Sequence, residues 1–161
     1  TVINFSPEKH PVLSHAFEFV GEVNGVRFIN DSKATNVIAV CAALESIDSP
    51  IILIMGGYDK GNNYEPLIEL IQSKVKKVIL LGGSSQIIRN ALPEDIVTLN
   101  TANMTAAVRF AYEHSELGDV VLLSPANASF DMFRDYQERG QAFREVVTKL
   151  ESKVHSKQPT A

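Results

Sequence analysis

The sequence predicts an α/β domain: a three-layer Rossmann-like fold on a mostly parallel sheet of about six strands, with an antiparallel N-terminal hairpin. Three observations carry this. Ile51–Met55 and Val120–Leu123 are apolar throughout and Val75–Leu81 is apolar apart from Lys76 and Lys77, as expected for strands buried on both faces. Helix-periodic segments lie between them. Asn24-Gly25 separates two strand-like runs near the start, a strong hairpin signal because both residues tolerate positive φ.

Composition bounds the function. A chain of 161 residues suits one domain able to bury a proper core. Apolar residues make up 45% and charged residues 21%, ordinary values for a globular protein. The net charge of −4 offers no basic face for nucleic acid or an anionic membrane. The longest apolar runs fall far below the roughly 20 residues of a membrane span. A single cysteine, Cys41, excludes an intrachain disulfide and a cysteine-cluster metal site. No signal-peptide pattern is read, and the expected compartment is the cytoplasm. The chain starts at Thr1 rather than Met, which suits a domain excised from a longer protein.

Residues 1–13, with two prolines and little periodicity, read as a linker segment before a domain over 14–150. Phe17–Val23 and Val26–Ile29 form the hairpin, and a helix-like run follows from Val37 to Leu44. Ile51–Met55 leads through a glycine loop to a helix over about Tyr64–Gln72, with Pro66 in its first turn. Val75–Leu81 precedes a short helix ending near Leu92, and Asp95–Leu99 reads as a short strand. Asn103 caps a helix with apolar residues at Met104, Ala107, Val108, Ala111 and Tyr112. Val120–Leu123 is the last strand. The last helix is expected from about Phe130 to Leu150, with 151–161 a frayed polar tail.

Right-handed crossovers bring the strand-to-helix loops to one rim of the sheet. Three of them carry chemistry: Asp31–Asn36, Gly56–Gly61 and Ser124–Ser129. The first holds an acid, a base and hydroxyls before a helix start; the same residue types also suit an N-cap. The second lets backbone approach a ligand while presenting Lys60, and equally suits a glycine turn with an exposed lysine. It is not a P-loop, because Gly-x-x-x-x-Gly-Lys-Ser/Thr occurs nowhere in the chain, and no Gly-x-Gly-x-x-Gly follows a strand. In the third, Ser129 and the free N–H groups around Phe130 suit a carboxylate, or else Ser129 caps the last helix. Together Lys33, Lys60, Thr35 and Ser129 fit a small dianion, and Asp31 suits vicinal hydroxyls such as a ribose. No nucleophile–base pair or metal cluster is evident. His10, His15, His114 and His155 lie outside the three loops.

These motifs are Asn30-Asp31-Ser32-Lys33-Ala34-Thr35-Asn36, Gly56-Gly57-x-x-Lys60-Gly61, and Ser124-Pro125-Ala126-x-Ala128-Ser129-Phe130-Asp131-x-Phe133 followed by Glu138-Arg139-Gly140. Over about residues 15–150 they resemble the C-terminal domain of the Mur ligases. The likeness is to the branch that adds D-glutamate to UDP-N-acetylmuramoyl-L-alanine in peptidoglycan synthesis. The resemblance implies a three-domain, ATP- and Mg²⁺-dependent enzyme whose N-terminal and central ATPase domains lie outside this chain. It implies that ATP activates the alanyl carboxylate as an acyl phosphate, which the amine of D-glutamate attacks. It assigns Lys33 as the catalytic lysine facing the reacting centre. Thr35, Lys60 and Ser129 hold the D-glutamate carboxylates, Phe130 and Tyr136 line the pocket, and Asp31 contacts the nucleotide ribose. With the ATPase half absent it implies a fragment inactive by itself, and the charge and run lengths above give no partner in nucleic acid or membrane. Two positions depart from the pattern. The family's His-Arg near the start of the domain, whose arginine reaches ATP, stands here as His15-Ala16, and Asn127 replaces a small residue or Cys. Another Mur or folylpolyglutamate-type ligase domain, or a non-catalytic small-anion-binding domain, would share much of the pattern.

Overall fold

Side chains along a strand alternate between the faces of a sheet, so a run apolar at every position demands cover on both. The structure, a computed structural model that describes residues 14–157, supplies that cover. The strands are β1 (Glu18–Val23), β2 (Val26–Asn30), β3 (Ile51–Gly56), β4 (Val75–Leu81), β5 (Thr98–Thr101) and β6 (Val120–Ala126). The helices are α1 (Val37–Glu45), α2 (Glu65–Lys74), α3 (Ser85–Ala91), α4 (Met104–Glu113) and α5 (Tyr136–Lys157). The strands form one sheet in the order β1-β2-β6-β3-β4-β5, with β1 antiparallel to β2 and the remaining pairs parallel.

Leu53, Met55, Val78, Leu80 and Leu122 face one layer, where Val40 and Leu44 of α1, Leu67 and Ile71 of α2 and Ile88 of α3 cover them. Ile52, Ile54, Ile79, Leu81, Val121 and Leu123 face the other, under Met104 and Val108 of α4 and Phe143 and Val147 of α5. Each fully buried side chain of this size contributes about 1.5–3 kcal/mol. Asn24 and Gly25 both take positive φ, 49° and 77°, as the two-residue hairpin requires. Asn36 and Asn103 cap α1 and α4, accepting from the N–H groups of Ala39 and Ala106 at 2.9 and 2.8 Å.

Several boundaries differ from expectation. The last helix begins at Tyr136, not Phe130. Ser129 opens a separate turn instead, its carbonyl accepting from the N–H groups of Met132 and Phe133 at 3.2 and 2.9 Å. Asp135 is what caps α5, its Oδ1 accepting from Glu138 N–H at 2.8 Å. No helix therefore starts at Phe130, and Ser129 is not the cap of the last helix. At the other end α5 continues past Leu150 to Lys157, because Val154 still packs on the second core layer. Residues 151–157 of the expected tail are thus helical, while 158–161 and the linker segment 1–13, with His10, lie outside the described residues. The fifth strand is displaced to Thr98–Thr101, since a turn in which Ile96 N–H donates to the Pro93 carbonyl precedes it. The sixth extends through Ala126, so Ser124 and Pro125 are strand rather than loop.

The order of the strands positions the site. β2 leads into α1 and β3 into α2 on one face, whereas β6, lying between them, leads into α5 on the other. Connections that diverge to opposite faces leave crevices at the carboxyl ends of the strands, on both sides of β6.

Candidate functional site

Backbone hydrogen bonds tie the three rim loops together. Asp31 N–H donates to the Leu123 carbonyl at 2.7 Å, and Ala126 N–H donates to the Ala34 carbonyl at 2.9 Å. On the other flank Tyr58 N–H donates to the Ala128 carbonyl at 2.7 Å. Gly57 permits that approach: its φ is +137°, and a Cβ there would run into the Ala128 carbonyl oxygen. The fourth rim loop joins through Asp131, which accepts from Gly83 N–H at 2.8 Å.

On this frame Lys33 and Thr35 stand exposed before α1, and Lys60 stands exposed on the second loop. Among the described residues Lys33 has no ion-pair partner. The Lys60 ammonium lies 5.4 Å from the centre of the Phe130 ring, which is 63% exposed. Ser129, by contrast, is buried. Tyr136 is half-buried at the start of α5; its carbonyl accepts from the Ser32 hydroxyl at 2.7 Å and its ring sits edge-on to His15. The structure thus brings Lys60 to Phe130 and Tyr136 to the first loop, and sets Ser129 on the loop beside both.

Asp31 is more enclosed than its expected ribose contact suggests. Its Oδ1 accepts from Phe17 N–H at 3.0 Å and its Oδ2 from the Ser124 hydroxyl at 2.8 Å. Burial raises its carboxyl to about 6, against the opposing pull of these two donors. A ribose hydroxyl would have to share an oxygen already engaged.

Three residues escaped the reading of the sequence as site components. His15 was set aside with the other histidines, yet it is buried against the first loop. Its carbonyl accepts from Lys33 N–H at 2.9 Å, and the Asn30 amide donates to its Nδ1 at 2.9 Å, which puts the ring proton on Nε2. Burial and Arg144 lower its pKa. Asn127 accepts through Oδ1 from Asn62 and Tyr64 at 2.8 and 3.0 Å, so the polar side chain at this departure from the family pattern is satisfied. Arg139, 2% exposed, donates from Nε to Ser32 Oγ at 3.0 Å, from Nη2 to the Ser32 carbonyl at 2.8 Å and from Nη1 to the Asn127 carbonyl at 2.9 Å. Burial lowers its pKa to about 10, which leaves it charged at neutral pH. A signal for Arg139 existed: it lies four and eight residues before Phe143 and Val147, on the buried stripe of α5.

The family model for the Mur ligase, glutamate ligase domain, matches residues 17–127. The chain belongs to the Mur ligase family. A UDP-N-acetylmuramoylalanine–D-glutamate ligase of Caldicellulosiruptor saccharolyticus is 50% identical over 141 residues, covering 86% of this chain and 31% of its own. One of the same name from Cytophaga hutchinsonii is 44% identical over 137 residues, covering 84% and 30%. The chain therefore spans about a third of the length of these curated relatives. Among solved structures, the MurF ligase of Thermotoga maritima in complex with ADP aligns with a TM-score of 0.62 at 15% identity, over 90% of this chain and 33% of that one. A bifunctional folylpolyglutamate synthase/dihydrofolate synthase of Yersinia pestis aligns at 0.61 and 13%, over 88% and 32%. At such identities these two show a shared Mur ligase fold. Within the domain match lie Asp31, Lys33, Thr35 and Lys60, whereas Ser129, Phe130, Tyr136 and Arg139 fall beyond its end.

Proposed function

We propose that this chain is the amino-acid-accepting domain, about residues 14–150, of a cytoplasmic ATP-dependent ligase that joins D-glutamate to UDP-N-acetylmuramoyl-L-alanine in peptidoglycan synthesis. The observation that carries this is the rim itself: Lys33, Thr35, Lys60 and Ser129 stand on adjacent loops held together by cross-loop hydrogen bonds. The two named relatives at 44–50% identity support the choice of amino acid.

In this reading the γ-phosphoryl group of ATP is transferred to the alanyl carboxylate, and the amine of D-glutamate attacks the resulting acyl phosphate. The carbon–oxygen bond to phosphate then breaks, the amine gives up a proton and an amide remains. Lys60, Thr35 and Ser129 hold the two carboxylates of D-glutamate, and Phe130 and Tyr136 wall the pocket. Lys33 faces the reacting centre and offsets developing negative charge. Asp31 meets the ribose by sharing an oxygen. Among the described residues no three His, Cys, Asp or Glu side chains converge as a metal cage. Mg²⁺, which neutralises phosphate charge in such reactions, is assigned with most of the nucleotide site to the N-terminal and central ATPase domains of the same protein.

The test is phosphate release by the full-length protein with ATP, UDP-N-acetylmuramoyl-L-alanine and one amino acid at a time. D-glutamate should support turnover, and L-glutamate or meso-diaminopimelate should not. Equal turnover with either of the latter would overturn the assignment.

A further inference from the structure

We infer that Arg139 is the positioning residue of the rim: its guanidinium sets the spacing between the loop of Lys33 and Thr35 and the loop of Ser129. The fork reaches Ser32 with two N–H groups, one residue before Lys33, and Asn127 with a third, two residues before Ser129. Those loops lie far apart in the chain, and a planar fork fixes distance and angle together in a way a flexible ammonium does not. All three acceptors are neutral, and among the described residues no carboxylate lies within ion-pair distance of Arg139. Asp131 acts on it only through space, and burying a cation without a paired counter-ion is a poor way to stabilise a core, so the observation calls for another use. Geometry gives one use and charge a second, since a fixed cation beneath the rim favours a dianionic ligand.

The tie continues to the second loop, that of Lys60. Asn127 Oδ1 accepts from Asn62 and Tyr64, and Asp59 Oδ1, 3.2 Å from the Tyr64 hydroxyl oxygen, accepts from the N–H groups of Gly61 and Asn62. These residues flank Lys60. One buried guanidinium thus stands at the head of a polar chain that runs from Ser32 through Asn127 to the Lys60 loop.

The test uses the full-length protein with Arg139→Lys, which keeps the charge and loses the fork, and Ser32→Ala, which keeps Arg139 and removes one acceptor. Two readouts are needed, because only the second rests on the D-glutamate reading. The first is hydrogen exchange at the cross-loop amides of Asp31, Ala126 and Tyr58. In Arg139→Lys these should exchange about tenfold faster or more, while β3 and β4 amides stay within about twofold of wild type. The second is kinetic: KM for D-glutamate should rise about tenfold or more, and KM for the uridine substrate should stay within about twofold. Ser32→Ala should move both readouts less, in the same direction, and add little to Arg139→Lys in the double variant. If Arg139→Lys does not fold, Ser32→Ala alone carries the same comparison. Unchanged cross-loop exchange, or equal rises in both KM values, would overturn the inference. Quickened exchange in a protein whose wild type uses L-glutamate equally well would sink the ligand assignment and leave the positioning role standing.

Discussion

Lys60 and Asp31 show how differently two rim residues are held. Lys60 is exposed and, among the described residues, held by a ring face alone, so replacing it should leave the fold intact. Removing one charge-assisted contact to a carboxylate costs about 1.5–3 kcal/mol, so Lys60→Ala should raise KM for D-glutamate by about 10- to 100-fold. KM for the uridine substrate in the same assay should not follow, and equal losses for both would refute the assigned role. Asp31 is enclosed, and its folded carboxyl titrates near 6, above its unfolded value of 3.8. Between these values the folded state binds the extra proton, so this group's contribution falls as pH rises from about 4 to about 6 and then levels off. Asp31→Asn removes that dependence. Relative to wild type, the variant should gain about 2–3 kcal/mol between pH 4 and pH 7 in urea unfolding. Parallel pH profiles would show that Asp31 keeps an ordinary carboxylate pKa.

At the scale of elements, α5 and the glycine loop after β3 hold the rim in place. Phe143 is fully buried under the sheet, and Phe143→Ala should cost about 3–5 kcal/mol by opening a cavity between α5 and β2. Gly57→Ala places a side chain at φ +137° against the Ala128 carbonyl, and should cost about 1–3 kcal/mol or more while loosening the second loop. Urea midpoints measure both. The central strands were legible because burial on both faces leaves runs such as Ile51–Met55 without a polar position, and the hairpin because Asn24-Gly25 admits one kind of turn. The start of α5 was not. Phe130 and Phe133 mimic helical spacing, yet the turn at Ser129 closes on itself and Asp135, three residues before Glu138, supplies the cap. The far end was missed because charged residues dominate beyond Leu150, although Val154 continues the buried stripe from Val147. Of the site, the residue types on the loops were readable, whereas the ties beneath them were not. A buried arginine and a solvated one look alike in sequence until the helix face is assigned, and His15 sits outside any periodic segment.

At the scale of the molecule, the chain spans about a third of its relatives, and neither a P-loop nor a convergent metal-ligand set is found among its described residues. The 161-residue chain should therefore show no ATP turnover by itself, and phosphate release above a buffer blank would contradict this. No described helix is long and apolar enough to cross a membrane. The most direct test of the rim as an amino-acid site is an amide NMR titration with D-glutamate, run in parallel with L-glutamate. The account predicts D-selective shifts grouped at Lys33, Thr35, Lys60, Ser129 and Phe130, with the remaining amides still. Equal shifts with both enantiomers, or D-glutamate shifts away from these loops, would contradict it.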